Sequence, residues 1–254
     1  MRIQVLGASG GELEGRGTTS LLVDDTLAVD AGALTSSLGL GGLHRVDHVL
    51  LSHSHLDHVK DVPLLADLLA GFRRRPFTVH GSEATLRVLR RHVFNGKLWP
   101  DFTRIPSAAR PVLRLLPFRH GVPFRAGRHR VLPVKVRHAV ESTGFVVARG
   151  GSSFAISGDT GPTTAFWRAV NGAPGLGALL VEVSFPDDLQ WLADRSGHLT
   201  PASLLGELSK VKRPGVPVYL YHLKPAWEAV LRREIAGLRR REVRILSRGD
   251  VLEV

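Results

Sequence analysis

Six consecutive residues, His53-Ser-His-Leu-Asp-His58, restrict the folds open to this chain more than any other feature. They put three imidazoles and a carboxylate, the donors that hold zinc, iron or manganese, within the length of one loop. The run follows an apolar stretch, Val46 to Leu51, that reads as a buried strand. It precedes a helical pattern, Val62-Pro-Leu-Leu-Ala-Asp-Leu-Leu-Ala70. A strand-to-helix loop fixes the backbone from both sides while its side chains converge. Histidines and an aspartate buried side by side would each need a partner, and a pair of cations would serve them all.

The rest of the chain is compatible with one sheet-based domain spanning residues 1–254. Apolar residues make up 43 % of it, enough to fill a core, yet no apolar run is long enough to cross a bilayer. Met1-Arg-Ile-Gln-Val-Leu-Gly7 reads as a first core strand and not as a signal peptide, so a cytoplasmic protein is expected, with no membrane partner. Cysteine is absent, which excludes thiolate sites and leaves nitrogen and oxygen as the only metal donors. The formal charge of +11 sits largely on arginines at Arg73–Arg75, between Arg110 and Arg130, and from Arg232 to Arg248. That balance suits anionic partners such as phosphate esters or nucleic acid, and equally a solvated basic surface. A homodimer is left open.

Strands are expected at Arg2–Leu6, Ser20–Val23, Leu27–Val29 and Val46–Leu51, then at Val131–Arg137, Gly144–Ala148, Ser153–Ile156, Ala178–Val183, Val216–Tyr221 and Arg244–Ile245. Helices are expected at Val62–Phe72, Ser82–Val93, Thr163–Val170, Pro201–Lys210 and Ala226–Leu238. Ser82 and Thr200 stand where N-caps belong, the latter followed by proline at the first helical position. The stretch from Asn95 to Pro133, rich in proline and arginine, is expected to be mostly loop. Two strand-rich halves with flanking helices imply an α/β (α+β) four-layer αββα sandwich.

Three further ligand candidates end predicted strands: His138, Asp159 and His222. With His53, His55, Asp57 and His58 they make a set too large for one tetrahedral ion, but suited to two ions sharing a carboxylate. His-x-His-x-Asp-His followed by His, Asp and His resembles the metallo-β-lactamase superfamily. The resemblance implies that His53, His55 and His138 hold one ion, that Asp57, His58 and His222 hold the other, and that Asp159 bridges them. Two divalent ions are expected, zinc first, with manganese or iron as alternatives.

Two such ions suit phosphodiester hydrolysis, which also needs a proton for a poorly acidic leaving alcohol. His198, in Gly197-His-Leu-Thr200, precedes a helix and can project toward the metals. Glu182 comes from a predicted buried strand, and a Glu182–His198 hydrogen bond would orient that imidazole as a general acid. Asp57 joins this pair in the expected catalytic set, and Asp30 is expected to orient a ligand from behind.

Within the superfamily, four segments are similar to class II cyclic-nucleotide phosphodiesterases: His53–His58, Phe94-Asn-Gly-Lys-Leu-Trp-Pro-Asp-Phe102, Val181-Glu-Val-Ser184 and Gly197-His-Leu-Thr-Pro201. This implies hydrolysis of the 3′ bond of cyclic AMP or cyclic GMP. Asn95, Trp99 and Phe102 are the expected contacts to a flat base, and Ser142 and Thr143 to the phosphate. The chain departs from the class II signature at Asp61, where a small residue is expected. Three rivals stand beside this reading: a ribonuclease Z-like endonuclease acting on RNA, a hydrolase of small cyclic phosphates or phosphonates, and a non-catalytic metal-binding module. His48, His80, His92 and His120 have no place in the metal set.

Overall fold

Side chains on a strand alternate between its two faces, and each half of this chain uses that alternation to make a sheet that is apolar on both sides. The computed structural model describes residues 1–254. The strands are β1 (Arg2–Gly7), β2 (Ser20–Val23), β3 (Leu27–Val29), β4 (His48–Leu50), β5 (Phe77–Gly81), a ribbon of β6 (Pro106–Ser107) with β7 (Arg110–Pro111), and β8 (Leu113–Pro117). They continue with β9 (Phe124–Ala126), β10 (His129–Val136), β11 (Ser142–Arg149), β12 (Ser152–Ile156), β13 (Leu176–Glu182), β14 (Val218–Tyr221), β15 (Val243–Ile245) and β16 (Val251–Glu253). One sheet runs β16-β1-β2-β3-β4-β5-β8 and the other β15-β14-β13-β12-β11-β10-β9. Each begins antiparallel and turns parallel, at β3–β4 and at β12–β13.

Ile3, Val5, Leu21, Val29 and Leu50 of the first sheet meet Phe145, Val147, Phe154, Ile156 and Leu180 of the second in a shared buried layer. Outside the first sheet, Val62, Leu65, Ala66 and Leu69 form the inward stripe of the helix Asp61–Leu69. Their i, i+3, i+4, i+7 spacing is what an amphipathic helix requires. Pro63 is tolerated because it lies in the first turn, where an N–H has no partner in the helix. Helices Ala165–Gly172, Pro201–Leu208 and Glu228–Gly237 cover the second sheet through Phe166, Trp167, Leu204, Leu208, Leu231 and Ile235. The four-layer αββα sandwich is therefore present. No helix is long and apolar enough to cross a membrane.

The expected loop from Asn95 to Pro133 needs correction, since it carries β8, β9 and the start of β10. In β8, Leu113 and Leu115 are buried while Arg114 points out. Arginine and proline obscured the alternation, and both are tolerated because β8 and β9 are edge strands. The pairing of β16 with β1 and the helix Gln190–Ser196 were not foreseen either. Ser82 accepts from the Thr85 N–H as an N-cap, but its helix ends at Val88 and passes into a π-turn over Leu89–Val93. Thr200 caps Pro201–Leu208 in a reciprocal capping box with Ser203.

Asp61, the departure from the class II pattern, is buried. Its carboxylate accepts from the Thr35 N–H at 2.8 Å, and its own N–H donates to Ala31 O. It thus supplies the acceptor that the helix Leu34–Ser37 lacks at its own N-cap, Ala33.

His48 and His80 lie between the sheets with Nδ1 and Nε2 3.1 Å apart, and His80 packs on Phe124. Burial pushes His80 down to about 4, helped by His48 beside it. The fold therefore keeps a neutral imidazole where the unfolded chain takes a proton below roughly pH 6.5. Stability is present above that value and lost as pH falls toward 4. The loss attributable to His80 should be about 3 kcal/mol, read by denaturant unfolding at pH 7.5 and 4.5. His80→Phe should remove most of that slope; an unchanged slope in the variant would refute the assignment.

Candidate metal centre and active site

The C-terminal ends of parallel strands gather their loops at one rim, and the candidate ligands lie there. The loop after β4 supplies His53, His55, Asp57 and His58, the last two on a short helix, Leu56–Val59. His138 follows β10, Asp159 follows β12 and His222 follows β14. His53, His55 and His138 each place a ligand atom within 4.8 Å of the others. So do Asp57, His58 and His222, and so do His53, His58 and Asp159. All seven sequence-expected ligands are thus brought together.

Hydrogen bonds behind the ligands fix which ring nitrogen faces the centre. Asp30 accepts from Ser52 N–H, Ser52 Oγ–H and His58 Nδ1–H, each at 2.8 Å. With its proton spent on Asp30, Ser52 Oγ accepts from His53 Nδ1–H at 3.0 Å. His138 Nδ1–H donates to Gly197 O at 3.0 Å, and His222 Nδ1–H to Ser184 Oγ at 2.9 Å. With each Nδ1–H spent behind the ring, Nε2 is the nitrogen that all four rings turn toward the centre. Gly197 is required for this contact: it sits at φ +73°, and a Cβ there would lie 2.6 Å from the His138 Cα.

What converges on the centre is ring nitrogens and carboxylate oxygens, crowded together. His58 Nε2 and His222 Nε2 are 3.4 Å apart, and Asp159 Oδ2 stands 3.4 Å from the first and 3.3 Å from the second. His55 Nδ1 faces His138 Nε2 at 3.2 Å. His53 Nε2 and Asp159 Oδ1 are buried with no hydrogen-bond partner at all. Lone pairs packed this way repel one another and forgo water, which is stable only around a cation. The residues therefore fit a divalent metal.

The electrostatics agree. Burial disfavours a charged His58, yet the Asp159 and Asp30 carboxylates beside it hold its pKa well above the ordinary value. Burial likewise opposes ionisation of Asp159, and the His222 and His58 imidazoles overcome it and hold the carboxyl well below the usual range. A field that would retain a proton between these groups also attracts a metal ion. Asp30 and His222 both have left-handed backbones, at φ +56° and +67°. Left-handed non-glycine residues cost of order 1–2 kcal/mol each, and here they stand at the centre and directly behind it.

Next to the candidate ligands, Glu182 is wholly buried at the end of β13 and accepts from His198 Nδ1–H at 2.7 Å. It also accepts from Thr160 N–H and Ser184 Oγ–H. Burial lowers the tendency of His198 to protonate, but the Glu182 charge and hydrogen bond outweigh it and raise the pKa above the ordinary histidine value. The His198 ring stacks on His222 with centroids 5.5 Å apart, leaving Nε2 as its remaining ring nitrogen.

The other expected contacts have partners of their own within the fold. Phe102 is buried in the core outside the first sheet, so neither face of its ring is left for a base. Trp99 packs against the same core, and Asn95 accepts from the Lys97 and Leu98 N–H groups as a turn residue. The aromatic spacing of this loop reports core anchoring. Ser142 and Thr143 are fully buried in β11: Ser142 Oγ–H donates to Asp159 O, and Thr143 Oγ1 pairs with His120 Nε2 at 2.9 Å. Ser142 braces the loop that carries Asp159, and both side chains are buried. Ser52 and Ser184 were missed. Ser52 adjoins the His53–His58 run and Ser184 ends the Val181–Ser184 segment, but serine is so common that position alone gave no signal.

The Beta-lactamase superfamily domain model matches residues 27–222 of the chain. A probable 3′,5′-cyclic-nucleotide phosphodiesterase of Yersinia pestis is 27 % identical over 89 % of this chain and 79 % of its own length. A ribonuclease Z of Bradyrhizobium sp. is 34 % identical, over 51 % of this chain and 40 % of its own. Among solved structures, unliganded yeast PDE1 superposes with a TM-score of 0.81 at 21 % identity, covering 100 % of this chain and 99 % of that one. That likeness is one of fold.

Proposed function

We propose that this chain, which belongs to the beta-lactamase superfamily and is a metal-dependent hydrolase, is a phosphodiesterase that opens 3′,5′-cyclic nucleotides to 5′-monophosphates. The observation that carries the reading is the buried Glu182–His198 pair beside the cluster of ring nitrogens and carboxylates. A ribose 3′ alkoxide is a poor leaving group, and a proton donor held at the metal rim answers that need. The Yersinia pestis relative matches over most of both chains and supports the same substrate class.

His53, His55 and His138 would hold one divalent cation and Asp57, His58 and His222 a second, with Asp159 between them. Zinc suits the nitrogen-rich set. When bound, two such ions supply Lewis acidity toward a phosphoryl oxygen and make water a nucleophile at neutral pH. The chain does the rest. Asp30, Ser52, Gly197 and Ser184 hold the imidazoles in the ligating tautomer. His198 carries a proton on Nε2 toward the leaving oxygen, and Glu182 fixes the ring and stabilises its charge. Lys135 and Arg137, exposed on a depression beside His138, favour an anionic substrate at the mouth.

Endonucleolytic cleavage of RNA is a second reading, favoured by the ribonuclease Z relative and the charge of +11. One experiment separates the two: metal-loaded protein is given cyclic AMP, cyclic GMP, bis-nitrophenyl phosphate and a transfer RNA precursor at several salt concentrations. Cyclic nucleotides should be opened at rates that vary little with salt, because a mononucleotide makes few ionic contacts. Cleavage of the precursor alone, falling steeply with salt, would replace the cyclic-nucleotide reading.

A further inference from the structure

One hydroxyl stands where the two halves of the site meet. Ser184 Oγ is 2.9 Å from Glu182 Oε2, 2.9 Å from His222 Nδ1 and 3.1 Å from His198 Nδ1. The residue is wholly buried, so no water substitutes for these contacts. The donors settle the direction of each bond. An ionised Glu182 only accepts, so Ser184 Oγ–H donates to Oε2. Its lone pairs then accept from His222 Nδ1–H. His198 Nδ1–H has the shorter contact, 2.7 Å, to the other oxygen, Oε1. The result is a chain of hydrogen bonds: His222 to Ser184 to Glu182, with His198 joining Glu182 from the other side.

We infer that Ser184 is a positioning residue that carries the orienting effect of Glu182 to His222, so that one carboxylate sets both the proton donor and a metal ligand. This deepens the reading above and rests on its metal set, but needs no particular substrate. His222 cannot be held by local propensity, since its backbone is left-handed. A Cβ on Gly10 would lie 2.4 Å from His222 O, which shows how tightly the segment is packed. The backbone is pinned by His222 N–H to Ala8 O at 2.7 Å, leaving the ring to be set through Nδ1. Of the polar groups in reach of Nδ1, only Ser184 Oγ lies within hydrogen-bond distance.

The test measures binding of Mn2+ and Zn2+ to metal-free protein by titration calorimetry, with no substrate present. Failure of the cyclic-nucleotide assignment would leave it unaffected. Ser184→Ala should bind one ion as the unaltered protein does and the other roughly 10- to 100-fold more weakly. Ser184→Thr, which keeps the hydroxyl, should recover most of the loss. Two ions bound by Ser184→Ala at unaltered affinity would overturn the inference. Should Ser184→Ala fail to fold, the unaltered protein decides. Long-range 1H–15N spectra of 15N-histidine protein, metal-free at pH 8.5, should show His222 protonated on Nδ1, and an Nε2-protonated ring would overturn it.

Discussion

Replacing Asp159 by alanine is expected to abolish both metal loading and turnover. Its carboxylate is buried at the meeting point of the ligands, with Oδ2 within 3.7 Å of His53, His58 and His222. No other acidic side chain reaches both halves of the cluster, since Asp57 groups only with His58 and His222. Removing Asp159 takes away the negative charge that lets two cations sit close together, so the cost falls on both. A two-ion site supplies several kcal/mol of transition-state stabilisation. Turnover of bis-nitrophenyl phosphate should therefore fall by about three orders of magnitude or more, with metal content by plasma mass spectrometry dropping from two equivalents toward zero. A variant that keeps both ions and a near-normal rate would remove Asp159 from the centre and undo the metal assignment. Asp57→Ala should be less complete, because Asp57 is 31 % exposed and groups only with His58 and His222.

His198→Ala should split substrates by the acidity of their leaving group. General acid catalysis contributes about 10²- to 10⁴-fold, and only where the departing oxygen needs a proton. Cyclic nucleotides, which release an alkoxide, should lose that full factor. Nitrophenyl esters, which leave readily as anions, should lose about tenfold or less. Equal losses on both classes would refute the acid role and make His198 structural. The pH profile gives a second reading of the same group. Glu182 raises the His198 pKa, so the protonated, competent form persists above the ordinary histidine range. Activity is then present below that raised pKa and lost as pH climbs through it. Glu182→Gln removes the charge, and the alkaline limb of kcat/KM for cyclic nucleotides should move to lower pH. A limb that stays in place would detach Glu182 from the proton donor.

The contrast between these residues and the 94–102 loop shows where sequence reasoning held. His53 through His58, His138, Asp159 and His222 were legible because ligand chemistry restricts them to a few residue types, at strand ends that apolar runs already mark. Glu182 and His198 were legible because a carboxylate in an apolar strand demands a partner. Asn95, Trp99 and Phe102 are open to two readings because an aromatic suits a buried anchor as well as a base-stacking face, and burial is not a local property. β8 and β9 were hidden for a related reason: edge strands admit arginine and proline, which elsewhere signal a loop.

The sequence by itself set out the candidate donors and the αββα layering, because residue chemistry and hydrophobic period do not depend on which segments become neighbours. Only the tertiary structure decided which nitrogen of each ring faces the centre. That choice is made by Asp30, Ser52, Gly197 and Ser184, which reach their histidines from up to 59 residues away. Apart from Ser52, which adjoins His53, these groups meet their histidines only once each sheet has assembled: Asp30 and His58 follow the neighbouring strands β3 and β4, and Ser184 and His222 follow β13 and β14.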